Sequence, residues 1–430
     1  MRERSDILRL ESFGGFYYSR RSRDTTALPV EYADLLLEAT RRPAAQVLRE
    51  DRSHFAVIRR RGKRTLQEWQ RDGLLDAEGL CHARIVANRP PTGVLGAPLA
   101  TSFELTERCN LSCQHCYVER CTPGSAEVSP ATLGLAFAAL ARAGSPGITL
   151  SGGEPLARQD LWEILDRARD QQMDIKFCTN GTLVDRPCAR RLVRYPIHTF
   201  SISLDGATPE IHDSVRGAGN FEQVARGVRH LRAAGAARIL LRLTVNARNL
   251  GTLADVAAVG DAWGVDAVSF RPFRYNGAAL DASLVVNRQT YDLALRRLRR
   301  RWRGQCKGIF GSSLPARAPR FAGYIPRFGC NGGHGTLSVK ADGSVVACAS
   351  VRAPDEWKLA QHDLIEAWYE APSIRRWRSL EAPGECASCA HLDRCGGGCR
   401  ARAQALGLGI EGVDTWCCMA TEGEGDRRRH

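Results

Sequence analysis

Between residues 99 and 275, apolar strand-like runs alternate with amphipathic helix-like runs six times, and no other feature narrows the fold as far. The strand-like runs are 102–106, 147–151, 174–179, 198–205, 238–246 and 266–272, with helix-like runs such as 130–142 and 221–233 between them. This alternation is the pattern of parallel strands joined by helical crossovers. Six units suit an open barrel better than a closed eight-stranded one, so the expected core is α/β, a partial (β/α)6 barrel.

At 430 residues the chain exceeds one ordinary core, and flanking units are expected on both sides of the barrel. The first, 1–90, reads as two short strands (15–19 and 26–29), a helix over 30–40, and further helices over 43–50 and 64–71. A turn and strand at Gly73-Leu74-Leu75 then completes a winged-helix-like outline. Residues 87–93, rich in proline and glycine, read as a linker, and the barrel occupies 99–275. A bridging region, 276–329, opens with a basic helix over 288–303 and loses regular patterning after Gly304. The last unit, 330–420, is dense in cysteine and glycine, with a hairpin turning at Ala341-Asp342-Gly343.

A charged amino terminus without an apolar h-region, and no apolar run near the roughly 20 residues of a membrane span, make a cytoplasmic protein the expectation, with no membrane partner. In a reducing compartment, sixteen cysteines point to metal or redox chemistry rather than disulfides. The net charge of +14 fits solvated basic faces, an acidic peptide or nucleic acid. Its basic runs, 59–64 and 296–303, lack the interleaved aromatics of a single-strand binder, so nucleic acid is not an expected partner.

Three of those cysteines, Cys109, Cys113 and Cys116, fall in one loop just beyond the first barrel strand, which is the catalytic end of such a sheet. Three thiolates can hold three irons of a 4Fe-4S cluster and leave the fourth open to a ligand. An incomplete zinc site or three buried thiols are the alternatives. The second strand ends in Gly152-Gly153-Glu154-Pro155, where the glycines let backbone come close to a ligand and the carboxylate can accept from an ammonium group.

The C-x3-C-x2-C loop followed by Tyr117 resembles the radical S-adenosylmethionine superfamily, and Gly152 to Pro155 is similar to that family's GGEP turn. The resemblance implies S-adenosylmethionine chelated by a cluster on Cys109, Cys113 and Cys116, with a 5'-deoxyadenosyl radical as the product of its reductive cleavage. It implies further that Tyr117 lies near the adenine, and that Glu154 and its neighbouring backbone hold the methionine amino group. Ser203 would bond polar groups of the cofactor, and Arg216 would pair with its carboxylate. A structural ion pair for Arg216 and a turn-forming role for Asp205 stay open beside these. Thr179-Asn180-Gly181 reads as a turn.

The carboxy-terminal array runs Cys386-x2-Cys389-x5-Cys395-x3-Cys399, preceded by Cys330 and Cys348 and followed by Cys417-Cys418. By spacing, structural zinc competes with iron and sulfide. Taken with the triplet, the array resembles the SPASM extension, which implies two auxiliary iron-sulfur clusters. By that pattern Cys330, Cys348 and Cys399 serve the first, and Cys386, Cys389, Cys395 and Cys417 the second, with Cys418 as an alternative to Cys417. The first lacks a fourth cysteine; Cys306, His334 or an open, substrate-bound site would fill it. Cys81, Cys121, Cys178 and Cys188 read as small buried hydrophobes.

The amino-terminal outline is similar to the small winged-helix domains that recognise leader peptides, and a strand edge there can pair with an extended peptide. The expected function is therefore that of a maturase of a ribosomally made precursor, forming a cross-link, epimer or oxidation. Its leader would bind 1–90, and a reductase or flavodoxin-type protein would supply electrons. A sulfatase-type maturase or small-molecule enzyme of the same superfamily is the runner-up. A zinc-stabilised DNA-binding regulator is the alternative from another class.

Overall fold

The structure is a computed structural model that describes residues 5–51, 53–61, 63–87, 90, 93–116, 118, 127–273, 282–310, 330–351, 357–390, 392–414 and 416–417. An antiparallel meander opens the chain: β1 (Ile7–Glu11), β2 (Gly14–Tyr18) and β3 (Thr25–Pro29). Gly14 makes the first turn possible, since its φ of +134° suits glycine and a Cβ there would stand 2.1 Å from the Leu28 carbonyl oxygen. Four short helices follow, α1 (Val30–Glu38), α2 (Ala44–Glu50), α3 (Ala56–Arg61) and α4 (Lys63–Arg71). They pack Leu35, Leu36, Val47, Ile58 and Trp69 against Leu8, Leu10 and Tyr17 of the sheet.

This unit departs from its sequence outline in two ways. Leu74 and Leu75 lie in a bend, not a strand. The sheet is instead completed by β1, which the outline omits, and by β4 (Arg84–Val86), which returns parallel to β1 and gives the order β3-β2-β1-β4.

The barrel follows: β5 (Ala100–Glu104), α5 (Pro130–Arg142), β6 (Gly147–Ser151), α6 (Leu161–Asp170), β7 (Asp174–Thr179), α7 (Arg186–Leu192) and β8 (Ile197–Ser203). It continues through α8 (Pro209–Arg216), α9 (Asn220–Ala233), β9 (Ile239–Val245), α10 (Asp255–Ala262) and β10 (Ala267–Pro272). Each strand pairs in parallel with its predecessor, as the alternation requires. Helix starts are set locally: the Ser129 hydroxyl accepts from the Thr132 amide at 3.1 Å ahead of Pro130, and Asp185 accepts from the Cys188 amide at 2.8 Å ahead of Pro187.

One face of each strand is apolar. Phe103, Leu150, Phe177, Phe200, Leu241 and Phe270 share a core with Phe137, Leu140 and Ile164 of the helices, each such burial contributing roughly 1.5–3 kcal/mol. The other face lines the lumen and is polar: by register Ser102, Thr149 and Lys176 stand side by side, as do Cys178 and Ser201, and Ser203, Arg242 and Ser269.

Three strands outside the six lengthen the sheet. After α11 (Arg288–Arg301), the stretch expected to be irregular contains β11 (Lys307–Phe310), parallel to β10. At the opposite edge β12 (Thr336–Val339) pairs parallel with β5 and turns into β13 (Val345–Val346), which confirms the expected hairpin and joins it to the barrel in one nine-stranded sheet. The chain ends in α12 (Leu364–Glu370), α13 (Pro372–Ser379), α14 (Leu392–Cys395) and α15 (Arg400–Ala405). The segment just after the linker is a junction: Trp368 Nε1 donates to the Leu95 carbonyl at 2.7 Å, Tyr369 Oη to that of Gly96 at 3.1 Å, and the Gly96 amide to Glu11 Oε2 at 3.0 Å. Among the described residues no helix is long and apolar enough to cross a membrane.

Candidate metal and cofactor site

The loop after β5 carries Cys109 exposed, Cys113 buried and Cys116 half-buried. N–H donors reach two of the sulfurs: the Leu111 amide donates to Cys109 Sγ at 3.4 Å, Asn180 Nδ2 to the same sulfur at 3.8 Å, and Arg216 Nη1 to Cys113 Sγ at 3.8 Å. Burial pushes both thiols up, opposed at Cys109 by the Leu111 amide and at Cys113 by the Arg216 guanidinium. Tyr117 and Cys121 lie outside the described residues.

Gly152 and Gly153 stand where the turn after β6 meets the cysteine loop. A Cβ on Gly153 would stand 2.2 Å from the Arg108 carbonyl oxygen, and one on Gly152, whose φ is +141°, would stand 2.5 Å from that of Thr106. The glycines thus let the turn after β6 lie against the cysteine loop itself. The Gly153 amide donates to Thr106 O at 2.7 Å and the Glu154 amide to Arg108 O at 2.8 Å. Pro155 is buried and starts a single 3-10 turn. Beyond it, the buried Arg158 guanidinium bonds the carbonyls of Leu105 and Val128 and pairs with Asp160.

Glu154 is 0 % exposed, and its carboxylate ties strand ends together. It accepts from Thr179 Oγ1 at 2.8 Å, from the Asn180 amide at 2.7 Å and from the Leu156 amide at 3.1 Å. Three of about four acceptor positions are therefore filled by protein. Burial pushes its pKa up to about 7 despite those donors. Thr179 and Asn180, read from sequence as a plain turn, link Glu154 to Cys109.

Arg216 pairs with Asp205, Nε lying 2.5 Å from Oδ2, which is the ion pair among its two readings. His115 Nε2 is 2.8 Å from the same oxygen, the Thr244 amide donates to Oδ1 at 2.8 Å, and the Asp205 amide donates to His212 Nδ1 at 3.1 Å. Burial alone would raise the Asp205 carboxyl, but Arg216 and His115 outweigh it and hold the group below the usual carboxylate range. His115 and His212 were invisible as partners in the sequence, since only the fold brings the β8 end, α8 and the cysteine loop together. Ser203 closes β8, half-buried, on the lumen face.

The structure gathers the described carboxy-terminal cysteines into two groups. Cys330 has Cys348 and Cys399 as electrostatic neighbours, and burial first, then Cys348, push its thiol up to about 11. Cys386, Cys389, Cys395 and Cys417 line one small cavity together with Asp414. Cys306 does not join the first group: its sulfur is buried beside Gly260 in the barrel and faces the Ala257 carbonyl at 3.9 Å. His334 lies in the turn before β12 and burial lowers its pKa to about 4. Cys418 lies outside the described residues. Asp414, which the cysteine spacing gave no reason to single out, receives Arg402 Nε at 2.6 Å, the Cys399 amide at 2.8 Å and the Trp416 amide at 3.1 Å.

Among the described residues no three His, Cys, Asp or Glu side chains converge closely enough to share one metal ion. Cluster ligands bind separate irons and stand further apart than the ligands of a single zinc. The donor set, thiols grouped in threes and fours and reached by N–H donors, fits iron-sulfur clusters.

Known proteins agree with this geometry. The radical SAM superfamily model matches residues 103–255. The mycofactocin maturase MftC of Mycobacterium ulcerans is 31 % identical over 334 residues, covering 75 % of this chain and 88 % of that protein. The Fe-coproporphyrin III synthase of Methanosarcina barkeri is 29 % identical over 351 residues, covering 74 % and 88 %. Among solved structures, Streptococcus suis SuiB bound to precursor peptide SuiA superposes with a TM-score of 0.72 at 13 % identity, over 96 % of this chain and 98 % of that one.

Proposed function

Because this chain belongs to the radical SAM superfamily, we propose that it is a maturase that modifies a ribosomally made precursor peptide at an unactivated carbon. The observation that carries this reading is the extent of the fold likeness to SuiB: the part of the chain left over is far smaller than the amino-terminal unit, so the likeness includes it. The Fe-coproporphyrin III synthase likeness favours a small-molecule substrate as the second reading. That reading leaves the amino-terminal sheet without a partner.

When bound, S-adenosylmethionine and a 4Fe-4S cluster supply a 5'-deoxyadenosyl radical for hydrogen abstraction. Cys109, Cys113 and Cys116 would hold that cluster, and Asn180, Arg216 and the Leu111 amide orient two of the thiolates. Gly152 to Pro155 brace the loop. Glu154 keeps one acceptor position for the methionine amino group, and Ser203 offers a hydroxyl at the lumen rim. Tyr117 is assigned to the adenine on the family resemblance. Arg216 acts as a positioning residue for Cys113.

Cys330, Cys348 and Cys399 would hold one auxiliary cluster, and Cys386, Cys389, Cys395 and Cys417 the other. A three-cysteine site leaves a position for a substrate thiolate or other donor. The unit 1–90 takes the leader along the outer edge of β3, which ends the four-stranded sheet. A reductase or flavodoxin-type donor delivers the electron in the cytoplasm, where reducing conditions keep the cysteines free for metal. The barrel 99–275, the bridge 276–329 and the cluster lobe 330–420 complete the division of labour.

The test is anaerobic reconstitution with iron and sulfide, followed by reaction with S-adenosylmethionine, dithionite and a short candidate precursor drawn from the neighbouring open reading frames. A mass change on the peptide together with 5'-deoxyadenosine supports the maturase reading. 5'-Deoxyadenosine with an unchanged peptide and a changed tetrapyrrole would favour the second.

A further inference from the structure

The turn between β2 and β3 reaches across to the barrel and walls a cleft against it. Arg21 and Arg23 of that turn, with Val193, Tyr195, His198 and Ala237 of the barrel, line a space of about 450 Å³. The barrel side is built from the start of β8 and the turns that lead into β8 and β9, at the opposite end of the strands from the cysteine loop.

The turn is pinned in place. Tyr18 Oη and Arg20 Nη1 each lie 2.9 Å from Asp174 Oδ2 at the start of β7, and Arg23 Nη1 lies 2.5 Å from the same oxygen. Arg23 reaches it from a left-handed backbone, with a φ of +63°. A turn that only reverses the chain favours glycine, asparagine or aspartate in that conformation, so an arginine held there points to a duty for its side chain.

The rim carries more positive charge than the carboxylates beside it. Arg21 is exposed and has no hydrogen-bond or ion-pair partner among the described residues. Arg23, its side chain 38 % exposed, shares Asp174 with Arg20, and the nearby Asp6 is taken by Tyr17 Oη and the Arg20 amide. Burial lowers the His198 pKa to about 4; Asp174 opposes this, while Arg23, Lys176 and Arg238 lower it further, so the ring is neutral at pH 7 amid cations. Val193 and Tyr195 give the cleft an apolar wall. Cations over an apolar wall suit an extended peptide that carries both acidic and apolar residues.

We propose that this cleft holds an acidic, apolar-bearing segment of the precursor's leader where it runs off the outer edge of β3. The proposal rests on the maturase reading and adds to it a second contact for the leader, on the barrel. β3 begins at Thr25, two residues after Arg23, so a peptide paired along that edge leaves it beside the rim. β8 spans seven residues, roughly 20 Å at about 3.3 Å per residue. About six extended residues therefore carry the peptide from the cleft to the cysteine-loop end, whereas an acidic electron donor docked here would face the wrong end of the strands.

The experiment uses the reconstituted full chain and a labelled candidate precursor from the neighbouring open reading frames that wild type modifies, read by fluorescence anisotropy. Arg21→Glu, which reverses an exposed charge, and Ala237→Trp, which fills the cleft from an exposed position, should each weaken binding at least about tenfold. Arg21→Lys keeps the charge and should stay within about threefold of wild type. Unfolding midpoint and iron content should match wild type in all three. Wild-type affinity in either Arg21→Glu or Ala237→Trp would overturn the cleft, and so would intact precursor affinity with slowed reduction by flavodoxin, which would assign the surface to the donor. Wild type that cleaves S-adenosylmethionine but binds and modifies none of the candidate precursors would instead remove the maturase reading, and the cleft with it.

Discussion

Asp205 and Arg216 are joined by a 2.5 Å contact from Nε to Oδ2, and the far side of the same guanidinium reaches Cys113 Sγ at 3.8 Å. One buried carboxylate thereby fixes both the cation behind the cluster loop and His115 within it. Breaking a buried charge pair from one side costs about 3–5 kcal/mol, because the other charge is left without compensation. Asp205→Asn should therefore lower the stability of the chain by an amount in that range and reduce iron bound at the triplet. Denaturant unfolding and iron analysis check this; a variant with wild-type stability and iron content would remove Asp205 from its anchoring role.

Glu154 gives a pH signature of opposite sign to that of an ordinary paired carboxylate. Its folded-state pKa is raised to about 7, so the folded chain binds the proton more tightly than the unfolded one. Its contribution to stability is then fully present below the unfolded pKa and is lost as pH rises through about 7. Wild type should lose stability relative to Glu154→Gln between about pH 4.5 and pH 7, with the difference levelling off above that. An unfolding midpoint difference that stays flat over that interval would contradict the buried, proton-retaining carboxyl.

Gly153 should tolerate no side chain. With a Cβ only 2.2 Å from the Arg108 carbonyl oxygen, Gly153→Ala must push the turn off the cysteine loop, at a cost of roughly 1–3 kcal/mol. The expected result is loss of the triplet's cluster with the auxiliary sites still filled, visible as a partial drop in iron and sulfide. Full iron loading with normal formation of 5'-deoxyadenosine would show that the close packing is dispensable.

Much of this site could be read from the chain. The cysteine loop, the turn after β6 and the six barrel strands are local patterns, and several strand and helix bounds agree to the residue, as at Gly147–Ser151 and Pro130–Arg142. What escaped was set by tertiary contact. β1 and β4 are short and meet only after four helices have intervened, and β11 was hidden in a stretch rich in glycine. The packing of Gly152 and Gly153 against backbone of the cysteine loop is likewise a tertiary contact. One signal was available and unused: the alternation in Asp174-Ile175-Lys176-Phe177-Cys178-Thr179 already announces an apolar outer face and a polar lumen.

Asp414 offers a test of the auxiliary lobe. It accepts from Arg402, from the Cys399 amide and from the Trp416 amide, and so spans the two cysteine groups. Asp414→Ala should deplete both auxiliary clusters while the triplet keeps its own, and the spectrum of the remaining cluster should still respond to S-adenosylmethionine. Retention of both auxiliary clusters would mean that the cysteine groups are organised without this carboxylate.

Leader binding predicts protection at one edge. Amide exchange over 25–29 should slow when the precursor peptide is added, because a strand paired there covers the outer N–H groups of β3. Unchanged exchange at β3 in the presence of bound, modified peptide would place the leader elsewhere.

Cleavage of the cofactor tests the account most directly. Anaerobically reconstituted wild type, given dithionite and S-adenosylmethionine, should bind iron and sulfide and form methionine and 5'-deoxyadenosine, and Cys113→Ala should form neither product while keeping its auxiliary iron. Zinc in place of iron and sulfide in the wild type, or undiminished 5'-deoxyadenosine from Cys113→Ala, would contradict it.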